Sequence, residues 1–199
     1  YDLYFKDPSQ RKFYDSKSPF TEMAAFFGGG HRNMLDLSFA RNVNPRWNIG
    51  FDFSTQRVRK TLNPAKREDN MVVQNAYSFH TNYRSENGRY WLLGSFSRMK
   101  HVVNEIGGIV PTSVDPSSLY FTYEDAKVWL QESRARELRQ EYQLYQEFKL
   151  GNGLQFYHVL DRKIQALVFE SLLSGSDGLF FPKERLIDPD STQNRNDFA

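Results

Sequence analysis

Between Asn42 and Gln56 the chain reads NVNPRWNIGFDFSTQ, and every odd position from Trp47 to Phe53 is apolar while Asn48, Gly50, Asp52 and Ser54 fill the even ones. Alternation with a period of two puts one oily face and one polar face on a strand. No bulk property constrains the fold as much. The chain must build a sheet whose oily face meets either a protein core or lipid.

The same rhythm recurs along the chain. Leu35, Leu37 and Phe39 oppose Asp36, Ser38 and Ala40; Tyr77, Phe79 and Tyr83 oppose Ser78, His80 and Asn82. Tyr142, Leu144, Phe148 and Leu150 alternate with Glu141, Gln143, Tyr145, Glu147 and Lys149, and Leu154, Phe156, Leu160 and Ile164 share a face interrupted by His158 and Arg162. Turn signals separate these runs: a triple glycine at 28–30, the Asn-Pro stretch before Trp47, Asn87-Gly88, and Gly151-Asn152-Gly153. Asn-Gly and glycine pairs supply the positive φ angles that tight hairpins need. The spacing predicts one β domain over 1–199, with strands at 19–28, 33–42, 46–58, 75–84, 89–100, 138–150 and 154–170. Loops are expected at 59–72, 101–136 and 174–199. Residues 124–149 are strong helix formers, so helix competes with strand there; the alternation from Tyr142 favours strand, and 124–136 stays open to helix.

Composition narrows the function classes. The net charge of +2 provides no steering field, which argues against nucleic acid as a partner. The chain has no cysteine, which excludes disulfides and thiolate chemistry. No run approaches the roughly 18 apolar residues of a membrane helix. A membrane β-barrel escapes that test, because its strands are only half apolar. Aromatic residues make up 16% of the chain, an excess that suits sheets and membrane interfaces.

A soluble β-sandwich also alternates polar and apolar residues, and base rates favour it. Three features point to lipid instead. Short turns fall at one end of the strands and long loops at the other, as in outer-membrane barrels; only the glycine turn at 28–30 departs. An eleven-residue strand tilted by about 45° rises roughly 25 Å, the height of a lipid-facing band. The third feature is a polar face on which Asp36, Asp52, His80, Glu141, Glu147 and Lys149 fall together.

The words also resemble a known family. FYDSKSPFTEM, then LDLSFARNVNPRWNIGFDF, then GRYWLLGSFSRMKHVVNEIGGI are similar, in that order, to the putative porin family of Bacteroidota outer membranes. The matching positions are Phe13-Tyr14-Asp15, Lys17-Ser18-Pro19, Asn42, Asn44, Pro45, Trp47, Asn48, Gly50, Tyr90, Glu105, Gly107, Gly108 and Ile109. Ile106 and Ala40-Arg41 depart from the family pattern. The resemblance covers roughly 11–170 and implies an antiparallel transmembrane β-barrel with short periplasmic turns and long extracellular loops. Family members are much longer, so this chain is expected to be part of a larger barrel.

Sites for covalent chemistry are not expected. His31, His80, His101 and His158 lack the close spacing of a metal site, and FGGGHRN lacks the Gly-Lys-Ser/Thr ending of a P-loop. Glu141 and Glu147 lie about 20 Å apart along a strand, too far for a glycosidase pair needing roughly 5–10 Å. The basic run Arg57-Val58-Arg59-Lys60 is expected to meet lipopolysaccharide or solvent.

The expected function is therefore a non-enzymatic pore in the bacterial outer membrane, without cofactor or metal, passing small hydrophilic solutes or ions. Its lining is expected from Asp36, Ser38, Asn48, Asp52, Ser54, His80, Asn82, Glu141, Gln143, Glu147 and Lys149, whose mixed signs predict no marked ion preference. Leu35, Leu37, Phe39, Trp47, Ile49, Phe51, Phe53, Tyr77, Phe79, Tyr142, Leu144 and Phe148 are expected to face lipid. Expected partners are outer-membrane lipid, lipopolysaccharide and the solutes themselves. Two alternatives stand beside this reading: a soluble carbohydrate-binding β-sandwich using Trp47, Trp91 or Trp129, and a structural barrel subunit bound to other envelope proteins.

Overall fold

The computed structural model describes residues 11–16, 18–29, 31–62, 69–110, 126–151, 153–172 and 191–198, the last of these as backbone. Eight strands follow in sequence: β1 (Phe20–Gly28), β2 (Arg32–Asn44), β3 (Trp47–Arg59), β4 (Asn70–Arg84), β5 (Tyr90–Glu105), β6 (Ser133–Leu150), β7 (Leu154–Leu172) and β8 (Ser191–Phe198). They form one antiparallel sheet in chain order, with β1 and β8 at its edges. This is the expected all-β antiparallel architecture, laid out as a single sheet and not as a two-layer sandwich. No helix occurs among the described residues.

The strands are longer than their alternation suggests. β3 and β4 run to Arg59 and from Asn70, so strand enters both ends of the loop expected at 59–72. β5 continues to Glu105 and β6 begins at Ser133, which replaces much of the loop expected at 101–136. The adjacent Val102 and Val103 lie on opposite faces there, so the period-two signal fades although the pairing Val102↔Arg136 and Val103↔Ala135 persists. The possible helix at 124–136 is not formed in its described part. Ser133–Arg136 are strand, because β5 on one side and β7 on the other together satisfy their backbone. Residues 124 and 125 lie outside the described residues. The expected tail loop at 174–199 contains β8, whose sequence STQNRNDF has no apolar alternation and which pairs with Gln165–Leu172.

The turns explain several motif positions. Asn44 Oδ1 accepts the amide of Arg46 at 2.9 Å, fixing the Asn-Pro reversal between β2 and β3. Gly88 has φ 64°, and Asn87 Oδ1 accepts from Arg89 N and Ser85 Oγ. Past β5, Gly107 and Gly108 have φ of 63° and 91°, and the ladder resumes irregularly in an Ile109↔Val128 bridge. A side chain at Gly107 would also bring its Cβ to 2.8 Å from Leu130 Cγ, so only glycine fits.

The register sorts side chains into two faces. One face carries the aromatic row Phe39, Phe51, Phe79, Phe96 and Tyr142 in successive strands β2–β6; the other carries Ser38, Asp52, Ser78, Ser97, Glu141 and Lys163. Burial is inverted relative to an ordinary soluble sheet. Gln74, His80, Ser97, His101, Glu137, Glu141 and Ser171 are buried, whereas Met23, Phe27, Phe79, Tyr142, Phe156 and Leu160 are exposed.

Candidate functional site: the polar face

Small residues cut a trough across the middle of the polar face. Ala40, Gly50, Ser78, Ser95 and Ser97 leave room on neighbouring strands, and the ring of His80 lies over Gly50. A Cβ at position 50 would come within 2.0 Å of His80 Nε2, so that glycine is required by a close approach. His80 is 4% exposed, and its Nδ1 lies 3.6 Å from Asp52 Oδ2, which also accepts from Ser78 Oγ at 2.9 Å.

The N-terminal segment runs through this trough. Arg11 donates to Ser97 Oγ and reaches the carbonyls of Phe79 and Phe96 at 3.5 Å. Burial lowers the pKa of its guanidinium, while the Asp52 and Glu141 charges act to raise it. Phe13 presents its edge to His80 at 5.8 Å, and Tyr14 stacks on Phe20 at 5.0 Å. Asp15 accepts from Asn42 Nδ2 at 3.0 Å, and Asn42 Oδ1 accepts from Asn48 Nδ2 at 2.5 Å. The Phe-Tyr-Asp and Asn-Pro-x-Trp-Asn-x-Gly motifs are thus two halves of one contact. Between this segment and β1–β3 lies a cavity of about 390 Å³ lined by Arg11, Lys12, Tyr14, Glu22, Asp36 and Asp52, among others.

Polar pairs continue along the face on either side. Glu137 binds Arg139 at 2.5 Å and accepts from Gln165 at 2.6 Å. Lys163 lies 3.9 Å from Glu141. Glu147 accepts from Tyr145 Oη at 2.9 Å and lies 3.3 Å from Lys149. Trp91 also points to this face, donating to Asn82 at 2.8 Å beneath Arg84, so it is no exposed sugar platform. Trp47 lies on the apolar face and donates to Thr81.

All eleven candidates Asp36, Ser38, Asn48, Asp52, Ser54, His80, Asn82, Glu141, Gln143, Glu147 and Lys149 fall on the polar face by register. Leu35, Leu37, Phe39, Trp47, Ile49, Phe51, Phe53, Tyr77, Phe79, Tyr142, Leu144 and Phe148 fall on the apolar face. The basic run at 57–60 is not one patch: Arg57 is exposed, while Lys60 is 7% exposed and bonds through its amide to Asp69 O. Sequence reasoning missed Arg11, Phe13 and Tyr14 as occupants of the polar face. The signal was available in the run of small residues on that face, which leaves space for another segment. No group of three His, Asp or Glu side chains able to hold a metal occurs among the described residues.

Comparison with protein families matches the chain over residues 1–199 to the family described as putative porin. Comparisons with curated proteins and with solved structures give no match.

Proposed function

The chain belongs to the putative porin family, and from that premise we propose that its sheet is a segment of an outer-membrane β-barrel whose polar face lines a passive route for small hydrophilic solutes. The observation that carries the reading is the inverted burial: charged and polar side chains are covered while Phe79, Tyr142, Phe148, Phe156 and Leu160 on the opposite face are exposed. A soluble monomer rarely exposes an apolar surface of this extent, whereas lipid requires it.

Trp47, Tyr83 and Tyr90 gather on the apolar face at the turn end, in the position of an interfacial aromatic girdle. In lipid the free edges of β1 and β8 must be paired, so further strands close the barrel.

The function needs no covalent chemistry; lining and diameter set what passes. The test has two arms. The full chain should require detergent for extraction and migrate differently on gels before and after heating. Vesicles carrying it should swell in small sugars. A detergent-free soluble monomer would sink the reading.

A further inference from the structure

The cavity of about 390 Å³ between the N-terminal segment and β1–β3 follows from side-chain size in the register. Glu22, Ser38 and Asp52 stand in one row across β1–β3, and Ala24, Asp36 and Ser54 in the next. Because Ala24, Ser38 and Ser54 are short, the space between the three carboxylates stays open. Glu22 and Asp52 are two strand steps apart, about 10 Å, and Asp36 stands between them one row nearer the loops. The opposite wall is the segment itself, with positive charge from Arg11 and Lys12 and the ring of Tyr14. Elsewhere on this face Glu137, Glu141 and Glu147 each hold a basic side chain. By contrast, Glu22, Asp36 and Lys12 make no ion pair or hydrogen bond among the described residues. Arg11 is committed to Ser97 and two main-chain carbonyls, which leaves Lys12 as the available cation. Asp52 engages one oxygen: Oδ2 accepts from Ser78, and the buried His80 aims Nδ1 at it from 3.6 Å, with neither ring nitrogen hydrogen-bonded. Its Oδ1 has no partner among the described residues.

We propose that this cavity binds an α-amino acid with a basic side chain, its two cationic groups on Glu22, Asp36 and Asp52 and its carboxylate on Lys12. The inference rests on the outer-membrane pore reading and names a solute class for it. Two unpaired carboxylates and one unpaired ammonium complement a solute with two positive groups and one negative. A neutral sugar leaves those charges unanswered. A bare metal ion is a poor fit, because no three acidic or histidine side chains converge closely enough to hold one among the described residues. Tyr14 offers an apolar surface to the methylenes of the side chain. The volume lies at the small end of the range for ligand pockets, which suits a solute of this size. Lys12 and Glu22 are exposed, so water screens the site and the dissociation constant is expected to be about millimolar. Weak binding of that order lets a passing solute leave again.

The test reconstitutes the full chain in planar bilayers and titrates the ion current with lysine, leucine, glutamate, lysine methyl ester and glucose. Lysine should interrupt the current at concentrations about tenfold below those for leucine or glutamate, and glucose should not interrupt it. Raising the salt should weaken the block. Lysine methyl ester, which lacks the carboxylate charge, should block wild type about tenfold more weakly than lysine does. On Lys12→Gln the acid and the ester should act alike. E22Q/D36N should insert as wild type does, still conduct, and lose lysine block by about tenfold or more. Equal block by lysine and leucine, or unchanged block in an inserted E22Q/D36N, overturns the site while leaving the pore standing. Conductance with no lysine block at all does the same. Failure of wild type to insert or to conduct overturns the pore reading and the site with it. Should E22Q/D36N not insert, the comparison of lysine with its ester and with leucine on wild type decides.

Discussion

Gly50 carries the tightest constraint on the polar face, because the His80 ring occupies the space where any other residue would place its Cβ. Replacing it with Val forces the imidazole out of a position that Asp52, Phe13 and Tyr14 share. Overpacking of this kind costs about 1–3 kcal/mol. Gly50→Val should lower the unfolding free energy measured by urea titration by that amount, and adding His80→Ala should recover most of it. If the two substitutions simply add, the ring is not what the glycine accommodates. Asn44 works at the same scale. Asn44→Ala removes the side-chain acceptor for Arg46 N and should cost about 1 kcal/mol, read as a slower and less complete refolding of the β2–β3 hairpin.

In the proposed barrel, strands rather than residues set the relation to lipid, and depth along a strand sets the cost of a charge. Phe51 sits at the middle of the apolar band on β3, whereas Thr55 lies four residues nearer the loops on the same face. Phe51→Lys should destabilise the assembled barrel by about 2–4 kcal/mol, and Thr55→Lys by about 0–1 kcal/mol. Unfolding titrations in vesicles measure both; equal costs would remove lipid from the apolar face. This face was legible in the sequence because an alternating strand has only two sides, and Trp47 to Phe53 never break step. Where the pattern broke, the reading fell short. Val102-Val103 and the glutamate- and arginine-rich start of β6 look unlike strand, yet pairing with β5 holds them extended. β8 shows no period at all and is defined by its register with β7. The eleven polar-face residues were recoverable for the same reason as the apolar ones. Arg11 has no local period of its own, since its segment crosses strands 68 and 85 residues away, and only the small residues of the polar face signal the space it fills.

At the scale of the whole molecule, that crossing segment decides how wide the proposed route is. Arg11, Phe13 and Tyr14 fill the trough of the polar face, beside the 390 Å³ cavity against β1–β3 that Asp36 and Asp52 also line. The segment is held by Arg11 on Ser97 and on the carbonyls of Phe79 and Phe96, two ring contacts with His80, Tyr14 stacked on Phe20, and Asp15 on Asn42. None of these bonds joins the strands to one another, so loosening the segment should leave the sheet intact. R11A/F13A should therefore insert in vesicles as wild type does and keep its heat-modifiable migration. Its single-channel conductance should rise severalfold, and the change should favour cations, because removing Arg11 exposes Asp52 and Glu141 to the solution. An unchanged conductance in a fully inserted variant would place the segment outside the conducting path. The sheet's polar face would then be lined elsewhere, by strands that complete the barrel.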